Sequence, residues 1–79
     1  MHLTKVERGQ VEAVAEVLKP WGLAWALERT HHLIMVLKDR RGGKWRLLLA
    51  CTPRNAGDAV DIARQKAKRL VREINARVL

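Results

Sequence analysis

The amino-acid sequence predicts a small α+β domain in which a helix, three strands and a second helix follow one another, in the order α-β-β-β-α. Apolar residues recur at helical spacing near each end of the chain, and short apolar runs of strand length lie between them. A length of 79 residues suits one compact domain, residues 1–79. Because each helix has one apolar stripe, we expect both on one face of a three-stranded antiparallel meander.

The first helix is predicted to begin at Thr4 and to end before Pro20. Thr4 and Glu7 have the spacing of a capping box, and the residue before a proline avoids the helical region. Gly9 weakens the first turns by about 1 kcal/mol relative to alanine. The predicted buried stripe consists of Val11, Val14, Ala15 and Leu18.

Three apolar runs predict the strands, at residues 23–28, 31–37 and 44–51. In the first run large apolar residues alternate with alanine and glutamate, and in the third Trp, Leu and Cys alternate with Lys, Arg, Leu and Ala. The second run is apolar on both sides. Gly42 and Gly43 can adopt the positive φ that a tight hairpin needs.

The last helix is predicted to run from about Gly57 nearly to the end of the chain, with Asp58 as its cap. Its predicted buried stripe consists of Val60, Ala63, Ala67, Leu70, Val71, Ile74 and Val78.

The large and reactive side chains are expected to serve the core. Phe and Tyr are absent, so Trp25 and Trp45 are predicted to fill it, with Trp21 partly exposed. Cys51, the one cysteine, is interpreted as a small buried apolar residue.

The open face of the sheet has a consequence for partners. The second strand is apolar on both sides, so three or four of its residues are expected to meet water. Contiguous exposed apolar surface usually marks a partner site. A homodimer or a bound protein across this face is therefore expected, unless a loop or the N-terminal residues cover it.

Charge indicates a polyanionic partner. Sixteen Lys and Arg against eight Asp and Glu give a net charge of +8, and residues 1–20 are neutral. The surplus therefore lies in residues 21–79, a distribution typical of nucleic-acid binding, although net charge also serves solubility. No apolar run approaches the ~20 residues of a membrane span, and we expect a cytoplasmic protein with no membrane partner.

Two clusters of cations are candidates for phosphate binding. One lies in the hairpin and consists of Lys38, Arg40, Arg41, Lys44 and Arg46. The other has i, i+4, i+8 spacing on the last helix and consists of Arg64, Lys68 and Arg72. If four to six phosphates are neutralised, log K is expected to fall against log salt with a slope of about −3 to −5.

Catalytic and metal-binding patterns are scarce. His31 and His32 lie at the start of a predicted strand, where neighbours point to opposite faces, so at most one is expected on a reactive surface. The histidines lack the spacing of a metal site, and no metal or cofactor is expected. Paired carboxylates and glycine-rich phosphate loops are also absent from the sequence.

The segments WGLAWALERTHHLIMVL and GGKWRLLLACTP, between two helices, resemble the HicA toxins, small bacterial ribonucleases of toxin–antitoxin pairs. Their fold is similar to the double-stranded-RNA-binding domain. The family's Gly-Ser-His sequence falls in register with Arg29-Thr30-His31, so the resemblance implies His31 as catalytic residue. Metal-free cleavage would then use His31 in acid–base transfer, with Arg29 and Arg46 stabilising the phosphorane.

The segment ARQKAKR resembles the Lys-Lys-x-Ala-Lys phosphate grip of double-stranded-RNA-binding domains, with Arg64, Ala67 and Lys68 as the matching residues. The chain also looks like a small phage or prophage protein. The favoured hypothesis is binding rather than catalysis, to RNA more than DNA, through the hairpin and the last helix. The alternatives are a HicA-like ribonuclease and a protein-interaction module or homodimer that uses the open sheet face.

Overall fold

The computed structural model of the chain describes residues 2–39, 41–50 and 56–78. It confirms the predicted order α-β-β-β-α and the antiparallel meander, with β2 in the centre of the sheet. The elements are α1 Lys5–Leu18, β1 Ala24–Arg29, β2 Leu33–Lys38, β3 Lys44–Leu49 and α2 Ala56–Val78. The predictions for Cys51 and for Arg40 lie outside the described residues.

The start of α1 has the predicted capping box. The Thr4 hydroxyl accepts from the Glu7 backbone N–H at 3.2 Å, and Glu7 Oε1 accepts from the Thr4 N–H at 3.0 Å. At the other end, α1 stops at Leu18, and Pro20 lies in a short 3₁₀ turn. Gly22 closes this turn at a φ of 64°, in the left-handed region that favours glycine.

Both helices cover the same face of the sheet. Leu33, Met35 and Leu37 of β2 are fully buried on this face, as the period of a strand requires. The predicted helix stripes are confirmed at their central positions, and they supply Val11, Val14, Leu18, Ala63, Ala67 and Val71 to the core. This arrangement leaves the opposite face of the sheet uncovered by either helix.

The first residue of α2 and the borders of its buried stripe differ from the prediction. The helix begins at Ala56, so Asp58 lies in its first turn and is not the cap. A carboxylate there still complements the positive end of the helix dipole. Val60 and Leu70 are half-buried, and Ala59 is buried although it was not predicted to be. The prediction for the Val78 side chain lies outside the described residues.

Gln10 joins α1 to the end of β3. Its side chain is 1% exposed, and its amide N–H donates to the Ala50 carbonyl at 2.7 Å. Its amide oxygen accepts from the Ala50 N–H at 3.0 Å. The Gln10 side chain therefore hydrogen-bonds both the backbone N–H and the C=O of Ala50, as a neighbouring strand would.

The prediction that Trp25 fills the core is wrong. Trp25 points to the helix side of the sheet but is 40% exposed. It lies on the edge strand β1, where α1 leaves an open groove of about 410 Å³ that Leu23 and Ala15 also line. Trp45 is half-buried against the core, and Trp21 is 46% exposed, as expected.

Candidate nucleic-acid interface

The hairpin between β2 and β3 is fixed by Asp39. Asp39 Oδ1 accepts from the backbone N–H groups of Arg41 at 2.9 Å and Gly43 at 2.8 Å. Its Oδ2 accepts from Trp45 Nε1 at 3.0 Å. The Trp45 hydrogen bond, followed by the Gly43 hydrogen bond, holds the pKa of Asp39 below its usual value. One carboxylate thus orders the turn that carries the predicted cation cluster.

The two glycines of the hairpin have different roles. Gly42 has a φ of 82°, as the hairpin pattern predicted. Gly43 does not have a positive φ, but a Cβ there would lie 2.5 Å from Asp39 Oδ2, so a larger residue must displace the carboxylate from its hydrogen bonds.

Gly43→Ala is therefore expected to displace the Asp39 carboxylate. We expect the melting temperature to fall by about 4–8 °C and the Trp45 indole N–H resonance to shift in the NMR spectrum. Gly9→Ala is the matched control. A Cβ at Gly9 would meet only Val60 Cγ2 at 3.4 Å, and the helix there gains about 1 kcal/mol from alanine. An unchanged Trp45 resonance in Gly43→Ala would contradict this description of the turn.

The open face of the sheet consists of three rows, each with one residue from each strand. The strand register gives these rows as Ala24–Lys38–Lys44, then Ala26–Val36–Arg46, then Glu28–Ile34–Leu48. The cations are therefore gathered at the hairpin end of β2 and β3. An apolar band made of Ala26, Val36, Ile34 and Leu48 continues from them, with the exposed Glu28 beside it on β1; Ile34 and Val36 are half-buried and Leu48 is 53% exposed.

Three exposed cations form a compact group, which we call the hairpin triad: Lys38, Lys44 and Arg46. Lys38 lies directly opposite Lys44, a like-charge pairing that is unfavourable at a Cβ separation of about 5 Å. Arg46 follows Lys44 by two residues, about 7 Å along the strand. Among the described residues, no carboxylate lies within salt-bridge distance of the triad. Both Asp39 oxygens are engaged within the hairpin turn.

Two other hairpin cations were predicted to bind phosphate. Arg41 is exposed in the turn, where its backbone N–H donates to Asp39. Arg40 lies outside the described residues.

The cations of α2 lie on the other side of the sheet. Arg64 is half-buried, and its guanidinium donates to Asp61 at 3.1 Å. Lys68 and Arg72 are exposed, with no carboxylate within salt-bridge distance among the described residues. The helix α2 packs on the face of the sheet opposite to the hairpin triad. The structure therefore does not bring the α2 cations together with the triad. One ligand that touches both clusters must pass around an edge of the sheet.

The histidines do not lie on a strand, so the prediction that places them at the start of one is wrong. The strand β2 begins at Leu33, and residues 30–32 form the turn that joins it to β1. The Thr30 N–H donates to the His32 carbonyl at 3.1 Å across this turn. Both His31 and His32 are exposed. Leu33 is the first buried residue after the two exposed histidines, and β2 begins there.

The two arginines that were candidates to stabilise the phosphorane are engaged or placed away from the histidine turn. Arg29 donates to the buried Glu7 carboxylate at 2.8 Å. Arg46 pairs with Val36, three residues along β2 from Leu33 and thus about 10 Å from the histidine turn.

Sequence reasoning missed a depression on the open face between β1 and β2. It has a volume of about 200 Å³ and is lined by Ala24, Trp25, Ala26, Val36 and Lys38. The depression exists because β1 presents two alanines beside the larger residues of β2. The sequence shows Ala24 and Ala26 at alternate positions of β1. It does not show which residues of β2 lie beside them, and that pairing creates the depression.

The described residues contain neither a candidate metal site nor a candidate membrane span. Within residues 2–39, 41–50 and 56–78, no three His, Cys, Asp or Glu side chains are grouped so as to hold a metal ion. Neither helix, over the residues described, has the length and apolar content that crossing a bilayer requires.

Comparisons of the chain with models of protein families, with curated proteins and with solved structures give no match.

Proposed function

We propose that this protein binds nucleic acid through the phosphate backbone, with the hairpin triad as the primary contact. The supporting observation is the triad itself: three exposed cations about 5–7 Å apart, none of them in a salt bridge with a described carboxylate, while the nearby Asp39 carboxylate is held by the hairpin turn. Such a group repels itself in the free protein. An anionic ligand removes that repulsion, and a row of phosphates supplies several anions at once.

The exposed cations Lys68 and Arg72 on α2 form a second contact in this proposal. Lys68 and Arg72 can contact a nucleic acid that is long enough to pass around the edge of the sheet, or a second nucleic-acid strand. The resemblance to double-stranded-RNA-binding domains favours RNA over DNA. A cytoplasmic location stays a prediction from the sequence.

The test is RNA affinity as a function of salt for two cluster variants. The first variant carries Lys38→Gln, Lys44→Gln and Arg46→Gln, and the second carries Arg64→Gln, Lys68→Gln and Arg72→Gln. Each lost phosphate contact reduces the slope of log K against log salt by about 1. We expect the first variant to lose affinity roughly tenfold or more at low salt, with a slope smaller by about 2–3.

The matched control has the same charge change on α1 and the turn that follows it. It carries Lys5→Gln, Arg8→Gln and Lys19→Gln, three exposed positions in the electrically neutral part of the chain. It is expected to lower affinity far less than the triad variant. Equal losses in the control and triad variants, or an affinity that salt does not change, would overturn the proposal.

A HicA-like ribonuclease is the second candidate, and the exposure of His31 supports it. An exposed imidazole can transfer a proton at a ribose 2′-hydroxyl and contributes about 10²–10⁴-fold.

His31→Ala is expected to abolish any cleavage of RNA and to leave RNA affinity within about threefold, because the triad lies at the other end of the sheet. The measurement is cleavage of labelled RNA, with His2→Ala as the matched control at another exposed histidine. Cleavage that persists in His31→Ala would exclude this mechanism, and the binding proposal does not depend on it.

A further inference from the structure

The open face combines two surfaces that a duplex does not use together. The hairpin triad offers positive charge, and the apolar band beside it is partly exposed, with Ile34 and Val36 half-buried and Leu48 53% exposed. Double-stranded RNA presents phosphates to a protein and hides the faces of its bases. An unpaired strand presents phosphates and apolar base faces side by side.

The depression between β1 and β2 lies at the junction of these two surfaces. Ala26 and Val36 of the middle row line it, together with Ala24 and Lys38 of the adjacent row. Its volume of about 200 Å³ is below the roughly 300–1,000 Å³ of pockets for drug-sized ligands. A group the size of one nucleobase suits it, with a phosphate at the Lys38 ammonium.

A second protein copy is a poor match for this face. The planar footprint of three strands about 4.8 Å apart and six residues long is roughly 300 Å², so this face alone supplies only part of the about 800 Å² of accessible surface that a stable interface buries on each partner. The charge is also unbalanced, because Glu28 alone faces the three cations of the triad within the rows of the open face.

We infer that the open sheet face binds a single-stranded segment of RNA, with one unpaired base in the depression between β1 and β2 and the flanking phosphates on the hairpin triad. The inference rests on the proposed nucleic-acid binding and adds the class of ligand. The apolar band then has a role in contacting bases, and the exposed alanines of β1 provide space for one of them.

The experiment compares two probes with two variants. The probes are a short oligouridine strand and the same strand annealed to oligoadenine. Ala26→Leu fills the depression at an exposed strand position, and Ala76→Leu makes the same change at an exposed position of α2. We expect wild type to prefer the single strand. Ala26→Leu should weaken single-strand binding about fivefold or more with the salt slope unchanged, because base contacts carry little counterion release.

Each outcome separates this inference from the proposed function. If the duplex binds as well as the single strand and Ala26→Leu has no effect, the inference is overturned while phosphate binding stands. If neither probe binds in a salt-dependent way, the proposed function fails, and the inference fails with it. If sedimentation shows that Ala26→Leu dissociates an oligomer of the wild type, the depression is a protein interface and the inference is overturned. Circular dichroism of both variants verifies folding.

Discussion

Replacing Glu7 by alanine is expected to lower the free energy of unfolding by about 2–3 kcal/mol. The Glu7 carboxylate is 2% exposed, and it accepts from the Thr4 N–H and the Arg29 guanidinium at 3.0 and 2.8 Å. Its removal breaks the capping box and separates the start of α1 from the end of β1. In a domain of this size the melting temperature should fall by roughly 10–20 °C.

Glu12→Ala is the matched control for this prediction. Glu12 lies on the same helix and has the same charge, but it is exposed. Its replacement should change the free energy of unfolding by no more than about 0.5 kcal/mol. Similar losses for the two variants would show that helix charge, and not the link from Glu7 to Thr4 and Arg29, is what matters.

The same carboxylate makes stability depend on pH in the acid range. The hydrogen bond from the Thr4 backbone, then that from Arg29, lowers the pKa of Glu7 from 4.5 despite its burial. The unfolded chain therefore binds the proton more readily than the folded one. Stability is present above pH 4.5 and is lost as the pH falls through the lowered folded pKa. Acid unfolding of Glu7→Gln should show a shallower dependence, although Asp39, whose pKa is also lowered, still contributes to it.

Gln10→Leu is expected to lower the free energy of unfolding by about 1–3 kcal/mol, although leucine is similar in size and more apolar. The variant removes the partners of the Ala50 N–H and C=O groups, which the Gln10 amide bonds at 3.0 and 2.7 Å. Ala50 is exposed, so water can reach its freed groups, and each lost hydrogen bond costs its net contribution of about 0.5–1.5 kcal/mol. Thermal unfolding gives the loss, and the Ala50 amide should exchange its hydrogen faster than in the wild type.

Gln65→Leu is the control, since it makes the same substitution at an exposed position of α2. It should leave unfolding within about 0.5 kcal/mol of the wild type. If Gln10→Leu is as stable as this control, the amide bonds to Ala50 do not stabilise the end of β3.

Local patterns in the sequence determined the order of the elements. The helical spacing of Val11, Val14 and Leu18 and the capping box of Thr4 and Glu7 were sufficient for α1. Both rest on contacts within a few residues of each other, which a sequence displays directly. The sequence also identified the hairpin cations as a cluster, because they lie close together along the chain.

Tertiary structure alone decided the burial of Gln10, the exposure of Trp25 and which cations share a surface. Gln10 is buried because the end of β3 needs its amide, and its partner is 40 residues away in the sequence. Trp25 is exposed because it lies on an edge strand beside an open groove. The two cation clusters are on opposite sides of the sheet, since α2 packs on the face away from the hairpin triad. Such positions depend on packing between distant segments, and for that reason no local pattern predicts them.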